Sequence, residues 1–201
     1  MKILVFDTET SGLPQRNASI YDSDQWPYIL QLSYIFYDIS NNISVIKDDY
    51  IDVNSSVTIT EESYEKHNIS RELLDSKGIN IRTALHDFNR FLDIADLVIG
   101  HNISFDKRMI FVESIRNRIQ QKFTKFDGNN KKTKPEFCTM KNTIDFCGLH
   151  YTNRSGKIMK KNPTLSELFQ KLFPETILPS NLHNSIVDVA VTIRCYIKYN
   201  Y

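Results

Sequence analysis

Apolar and polar positions change period several times along this chain, and the changes mark out its elements. Residues 2 to 6, Lys-Ile-Leu-Val-Phe, predict a short buried strand, which ends where Asp7 and Glu9 begin. A polar, turn-rich stretch from Ser11 to Trp26 leads into the apolar, aromatic run of residues 27 to 39, long enough for a central strand. Asn41-Asn42 then separates it from residues 43 to 53, so the opening reads as strand, turn, strand in an antiparallel meander. Residues 60 to 70 suggest a short helix and a loop.

Helical spacing takes over after that. Leu85, Phe88 and Leu92 form one stripe, with Ile81 and Ala95 at its ends, and Leu97-Val98-Ile99 follow as a fourth strand stopping at Gly100. A second helix is expected from Phe105 to about Gln121, with Met109, Val112 and Ile115 inward and Arg116 and Arg118 outward. Residues 127 to 135 read as a polar, basic loop, residues 137 to 147 as a short strand or turn with a helix after it, and residues 153 to 163 as a second basic loop. Thr164-Leu-Ser-Glu167 is a capping-box signature for a helix over residues 165 to 173, and a last helix spans about Asn184 to Tyr199. Three antiparallel strands followed by alternating helices and strands predict an α/β fold, a mixed sheet covered by helices.

With 201 residues and 41% hydrophobic content, the chain is long enough for one well-buried core, and a single domain over residues 1–201 is expected. No run approaches the ~18 apolar residues of a membrane span and no signal-peptide core is present, so an intracellular, soluble protein, cytoplasmic or nuclear, is expected. Cys138, Cys147 and Cys195 have neither the count nor the spacing of a disulfide framework or zinc knuckle, and read as buried thiols. Six Asn-x-Ser triplets, at Asn17, Asn42, Asn54, Asn68, Asn102 and Asn153, carry little meaning in a chain this rich in both residues.

Charge changes the picture more. The net charge of +1 conceals a segment, Lys107 to Lys161, with 14 Lys and Arg against four Asp and Glu, while the rest has 11 against 20. A polyanion could lie along such a flank, with Lys131, Lys132, Lys160 and Lys161 the leading contacts; a Lys-rich solvated surface accounts for the same composition.

Three short stretches carry the candidate chemistry. Asp7 and Glu9 are two residues apart on a strand and so face the same way. Asp106 falls in the first turn of a helix that begins just after a strand end, and His183 and Asp188 flank the start of the last helix. Taken singly, each has a bland explanation, such as a helix-dipole partner or a solvated cap. Together they are four carboxylates and one His at one sheet edge, and buried carboxylates side by side require a compensating cation. Hard oxygen ligands suit Mg²⁺ or Mn²⁺; zinc calls for His or Cys clusters the chain lacks.

The stretches Asp7-Thr8-Glu9-Thr10-Ser11-Gly12-Leu13, His101-Asn102-Ile103-Ser104-Phe105-Asp106 and His183-Asn184-Ser185-Ile186-Val187-Asp188 match, in order and long-range spacing, the motifs of a known family. The chain resembles the DEDDh 3′→5′ exonucleases, the group that includes the proofreading exonuclease subunit of bacterial replicative polymerases. His183, five residues before the final Asp, with Asn184 where the other branch has Tyr, marks the His branch. Weaker likenesses lie at residues 67 to 70 and 138 to 141.

The resemblance implies a ribonuclease H-like mixed five-stranded sheet flanked by helices. It implies that Asp7, Glu9, Asp106 and Asp188 hold two divalent ions, that His183 is the general base, and that the product is a nucleoside 5′-monophosphate. Thr10, Leu13, His101, Asn102 and Phe105 match positions around the terminal nucleotide. The partners implied are nucleic acid 3′ ends, with a DNA polymerase or another replication or repair protein as a further one, and no membrane. Single-stranded or frayed DNA is the expected substrate; an exoribonuclease and a non-catalytic nucleic-acid-binding module are the alternatives. The long segments from Arg16 to Trp26 and Lys122 to Lys134 depart from the family's compact pattern.

Overall fold

The computed structural model describes residues 1–128 and 130–201. In chain order its strands are β1 (Lys2–Thr10), β2 (Ile29–Asp38), β3 (Ile43–Asp52), β4 (Ile79–Asn80), β5 (Leu97–Gly100), β6 (Thr124–Asp127), β7 (Asn130–Thr133), β8 (Glu136–Cys138), β9 (His150–Thr152) and β10 (Ile158–Lys160). The helices are α1 (Glu61–His67), α2 (Arg71–Lys77), α3 (Ile81–Ile94), α4 (Ile103–Arg116), α5 (Thr139–Asn142), α6 (Ile144–Cys147), α7 (Leu165–Leu172) and α8 (Ser185–Asn200). The main sheet has the order β4-β3-β2-β1-β5-β8: β1, β2 and β3 are antiparallel, and β5 and β8 add parallel to β1. The expected mixed sheet gains a sixth, two-residue strand, β4, parallel to the end of β3. Gly78 permits that pairing, since a Cβ there would stand 2.6 Å from the Asp52 nitrogen and 2.4 Å from the Leu74 oxygen.

Alternation along β1 divides the interior. Leu4 and Phe6 face the larger core, with Tyr34 and Phe36 of β2, Leu85, Phe88 and Leu92 of α3, and Met109 and Val112 of α4. Ile3 and Val5 face the other way, onto Ile99 and onto Val189 and Tyr196 of α8. Every second β1 residue therefore meets α8, and the ones between meet α3 and α4.

Several expectations change. β1 does not stop at Phe6; it pairs with β2 as far as Thr10, so Asp7 and Glu9 lie within the strand. Helix α2 is an addition, started by Ser70, whose side chain accepts from the Leu73 N–H. The loop expected at 127 to 135 contains most of the hairpin β6–β7, and the loop at 153 to 163 contains β10, paired with β9. Position 129 lies outside the described residues. The capping box of α7 is present, and all three thiols are free and buried. The Asn-x-Ser triplets turn out to be turn chemistry. Asn17, Asn42, Asn68 and Asn102 take positive φ, and Asn54 and Asn153 accept from the N–H and hydroxyl of the Ser two residues on. Among the described residues no helix is long and apolar enough to cross a membrane.

Ile115 and Arg116 exchange their expected sides. Ile115 is exposed, and the Arg116 guanidinium turns inward to donate to Ser23 O at 2.5 Å, Trp26 O at 2.6 Å, Pro27 O at 2.8 Å and Glu113 Oε1 at 2.6 Å. Three carbonyls on one cation explain how the polar segment before β2 is held, with Trp26 buried and donating from its indole to Ser19 O. Replacing Arg116 with Met leaves Glu113 buried without its partner. Urea unfolding is expected to register a loss of about 3 to 5 kcal/mol, with faster proteolysis between residues 14 and 28. A loss within experimental scatter would mean that the segment does not depend on Arg116.

Candidate active site

The site forms where β5 ends. Backbone groups of Lys2 face β5, because Lys2 O accepts from Asp96 N, and so do those of the even residues after it. Pairing with β5 covers only Ile3 to Val5, so further along this edge of β1 has no strand beside it. The chain leaves β5 at Gly100, turns through His101 and Asn102, and enters α4, which returns Asp106 to the gap. Asp106 is buried, and its Oδ1 accepts from the Thr8 amide at 3.1 Å and the Thr8 hydroxyl at 2.8 Å.

On the opposite face of β1, Asp7 and Glu9 point toward α8, in line with Ile3 and Val5. Carboxylate oxygens of Asp7, Glu9 and Asp188 lie within 4.8 Å of one another. The start of α8 is anchored to the sheet by polar side chains. Ser185 N donates to Gln31 Oε1 at 3.3 Å, the Ser185 and Ser33 hydroxyls bond to each other, and Gln31 and Ser33 both donate to Asp48 Oδ1 at 2.7 Å. Gln31, Ser33 and Ser185 are fully buried. This network fixes where Asp188 stands relative to β1.

Burial and mutual repulsion govern the charges. Desolvation, then Asp106, Glu9 and Asp188, hold the Asp7 carboxyl well above the usual carboxylate range. Burial with Asp188 and Asp106 pushes Glu9 up to about 8, partly opposed by Lys66. Burial raises Asp106 to about 7 against the hydrogen bonds from Thr8, and raises Asp188 to about 6 against the pull of His183. A cluster of oxygens this reluctant to ionise fits a hard divalent cation, which would stabilise all the charged forms together.

His183 stands at the rim. Its side chain is exposed, its φ is +70°, and its backbone N–H faces the Asp188 carboxylate at 3.3 and 3.4 Å. Beside Glu9, a cavity of about 370 Å³ is lined by Thr10, Leu13, Lys66, His67 and Phe105, among others. Leu13 is 71% exposed there, so it is no core residue. The turn that presents it is tied by Thr10 Oγ1 donating to Gly12 O at 2.8 Å, which commits the Thr10 hydroxyl.

His101 and Asn102 do not line this cavity. Both His101 nitrogens are engaged, Nδ1 with Thr139 Oγ1 at 2.9 Å and Nε2 with Pro163 O at 3.1 Å, and burial presses its pKa down to about 4. Asn102 is the exposed, left-handed residue before α4. Thr8, Lys66 and the anchoring role of Gln31, Ser33 and Ser185 were not legible as site features. His67 had a faint signal in its repeated His-Asn-Ile-Ser. Its Nδ1 accepts from Ile69 N at 3.0 Å, so Nε2 carries the proton and donates to Thr10 O at 3.2 Å, bracing the end of β1.

Carboxyls with raised pKa bind protons more tightly folded than unfolded, so their stabilising effect is complete in acid. It is lost as pH rises through about 6 for Asp188, about 7 for Asp106 and about 8 for Glu9. The metal-free protein is therefore expected to melt progressively lower across this range. Added Mg²⁺ or Mn²⁺ should raise Tm most at the alkaline end. Thermal melts in chelator and in metal check this; a metal increment independent of pH, or one that survives in Asp7→Asn, would place the cation elsewhere.

Three comparisons bear on this geometry. The sequence matches the exonuclease family RNase_T over residues 4–196. No curated protein matches the chain. Among solved structures, the zinc-bound form of E. coli exonuclease I with single-stranded DNA is similar at a TM-score of 0.68 and 15% identity, over 97% of this chain and 39% of that one. A product-bound exonuclease I gives 0.64 and 16% over 98% and 42%. The moderately thermophilic exonuclease I of Methylocaldum szegediense gives 0.60 and 14% over 99% and 40%. At these identities the likeness is one of fold, and the chain spans about two fifths of the length of each. The family match runs through all three carboxylate-bearing stretches and nearly the whole chain, and on that ground the chain belongs to the RNase_T exonuclease family.

Proposed function

We propose that residues 1–201 act as one 3′→5′ exonuclease unit, which removes nucleoside 5′-monophosphates from single-stranded DNA or frayed DNA 3′ ends with the help of two divalent ions, Mg²⁺ or Mn²⁺. The observation that carries this reading is the convergence of Asp7, Glu9 and Asp188 oxygens within 4.8 Å, with Asp106 docked on the same strand behind them. Membership of the exonuclease family supports it, as do similar structures described as bound to single-stranded DNA or product.

Asp7, Glu9 and Asp188 are the residues that would hold the ions, and Asp106, held through Oδ1 by the Thr8 amide and hydroxyl, adds a further carboxylate. Divalent cations in such a site lower the pKa of a bound water and stabilise charge on the scissile phosphate. The remaining work falls to the chain. An unprotonated ring nitrogen of His183 takes the proton of the attacking water, and the exposed position of its imidazole lets that proton pass on to solvent. Asp188 orients His183 by accepting from its backbone amide. Leu13 and Phe105 offer an apolar wall for the terminal base, in keeping with stacking that tolerates any base. Thr10 shapes the turn that presents Leu13, while His101 and Asn102 fix the entry to α4 and so the position of Asp106.

Digestion of 3′-labelled single-stranded DNA, mismatched duplex and RNA in Mg²⁺ tests this, with single-stranded DNA expected to be shortened fastest from the 3′ end. Asp7→Asn and Asp188→Asn should each abolish turnover while the protein still folds. Near-normal turnover of either at saturating metal would sink the assignment. His183→Ala should lower kcat by about 10² to 10⁴ and flatten the acid limb of the pH–rate profile; an unaltered acid limb would exclude His183 as the base.

A further inference from the structure

Between α6 and α7 the chain leaves the main sheet as the hairpin β9–β10. All six of its strand residues are exposed, including Tyr151 at 50%, Ile158 at 69% and Met159 at 37%. From Leu149 to Lys161 the segment holds Arg154, Lys157, Lys160 and Lys161 and no acidic residue. Its tip is nonetheless built. Asn153 Oδ1 accepts from Ser155 N at 3.0 Å, Ser155 Oγ at 2.8 Å and Lys157 N at 2.9 Å, and Gly156 supplies a φ of +80° that other residues would resist. Ordering an exposed tip opposes chain entropy, and here the order presents Arg154 and Lys157 at defined positions.

The base of the hairpin lies at the edge of the sheet where the carboxylates are. Lys161 N donates to Leu149 O at 2.8 Å, and Pro163 O, two residues on, accepts from His101, the residue after Gly100 at the end of β5. Lys160 and Lys161 are committed to Asp145 and Glu167, which leaves Arg154 and Lys157 as the cations with no carboxylate partner among the described residues. The other basic hairpin, β6–β7, has similar chemistry in the wrong place. It exposes Phe126 beside Lys125, Lys131 and Lys132, yet Lys125 pairs with Asp93, and Lys134 Nζ donates to Asp93 O and Ala95 O, at the start of β5. That end of the sheet is level with Lys2, about 17 Å along β1 from Asp7 at the usual rise per residue. The structure thus separates the four lysines expected to form one track: two lie at the far end and two are paired.

We propose that the β9–β10 hairpin is a guide for the single strand upstream of the 3′ terminus, with Tyr151 as a platform for one base and Arg154 and Lys157 as contacts to successive phosphates. This rests on the exonuclease reading and names how that site takes an extended substrate. Exposed aromatic and basic side chains without acids are the pairing that single strands favour, through stacking and phosphate attraction.

The test compares Tyr151→Ala/Arg154→Gln/Lys157→Gln with the far-end control Phe126→Ala/Lys131→Gln/Lys132→Gln, which lowers positive charge by the same amount. For each, kcat/KM is measured on a 3′-labelled trinucleotide and on a strand of about 16 nucleotides. In the hairpin variant the ratio of long to short is expected to fall about tenfold, through KM, and in the control it should hold. Binding of the long strand to protein also carrying Asp7→Asn should lose roughly 1.4 of its log–log salt slope, about 0.7 for each of two phosphates. An unchanged length ratio in the hairpin variant, or an equal fall in the control, would overturn the guide while the exonuclease reading stood. Wild-type protein that binds the strand through the hairpin and shortens none would overturn the exonuclease reading and leave the hairpin contact in place.

Discussion

Like charges gathered in one place must be assembled by something other than their own attraction. Asp7, Glu9 and Asp188, with Asp106 behind them, gain nothing from one another, and their raised pKa values express that opposition. Each is held by structure that is stable for other reasons. Asp7 and Glu9 sit on a strand whose apolar neighbours are buried on both faces, Asp188 on a helix pinned through Gln31, Ser33 and Ser185, and Asp106 on the Thr8 amide and hydroxyl. The surrounding fold can be understood as the frame that keeps these four groups from moving apart.

That frame explains the short β5. A parallel neighbour running the whole length of β1 would have covered the Thr8 amide with a backbone carbonyl. Stopping at Gly100 leaves an unpaired donor, and a carboxylate from the first turn of α4 takes it. The result joins a position on β1 to one about a hundred residues later through two hydrogen bonds to the same oxygen. The divide between Thr8 on one face and Asp7 and Glu9 on the other lets helices on both sides of the sheet contribute to a single site.

How much of this was legible depended on whether the signal was periodic. The apolar runs of β2 and β5 and the stripe of Leu85, Phe88 and Leu92 follow from burial against one face, and their elements formed where the pattern placed them. The carboxylates were legible because their types and spacing are chemically unusual. The two basic hairpins were not, since strands made of residues such as Asn130, Lys131, Lys132 and Thr133, exposed throughout, carry no alternation for burial to select. Arg116 was misplaced for a related reason. What draws it inward is the carbonyls of Ser23, Trp26 and Pro27, far away in sequence, and no local period encodes them.

The span between Asp7 and Asp188 also bears on the order in which the protein acquires its chemistry. The β1–β2–β3 meander pairs neighbours in sequence, whereas Asp188 comes from the last helix, 181 positions after Asp7. A chain still being synthesised can close its local strands early, yet the carboxylate cluster remains incomplete until α8 has emerged and docked against Ile3 and Val5. Any hydrolytic capacity the cluster confers is thereby withheld from a nascent chain whose α8 has not yet docked.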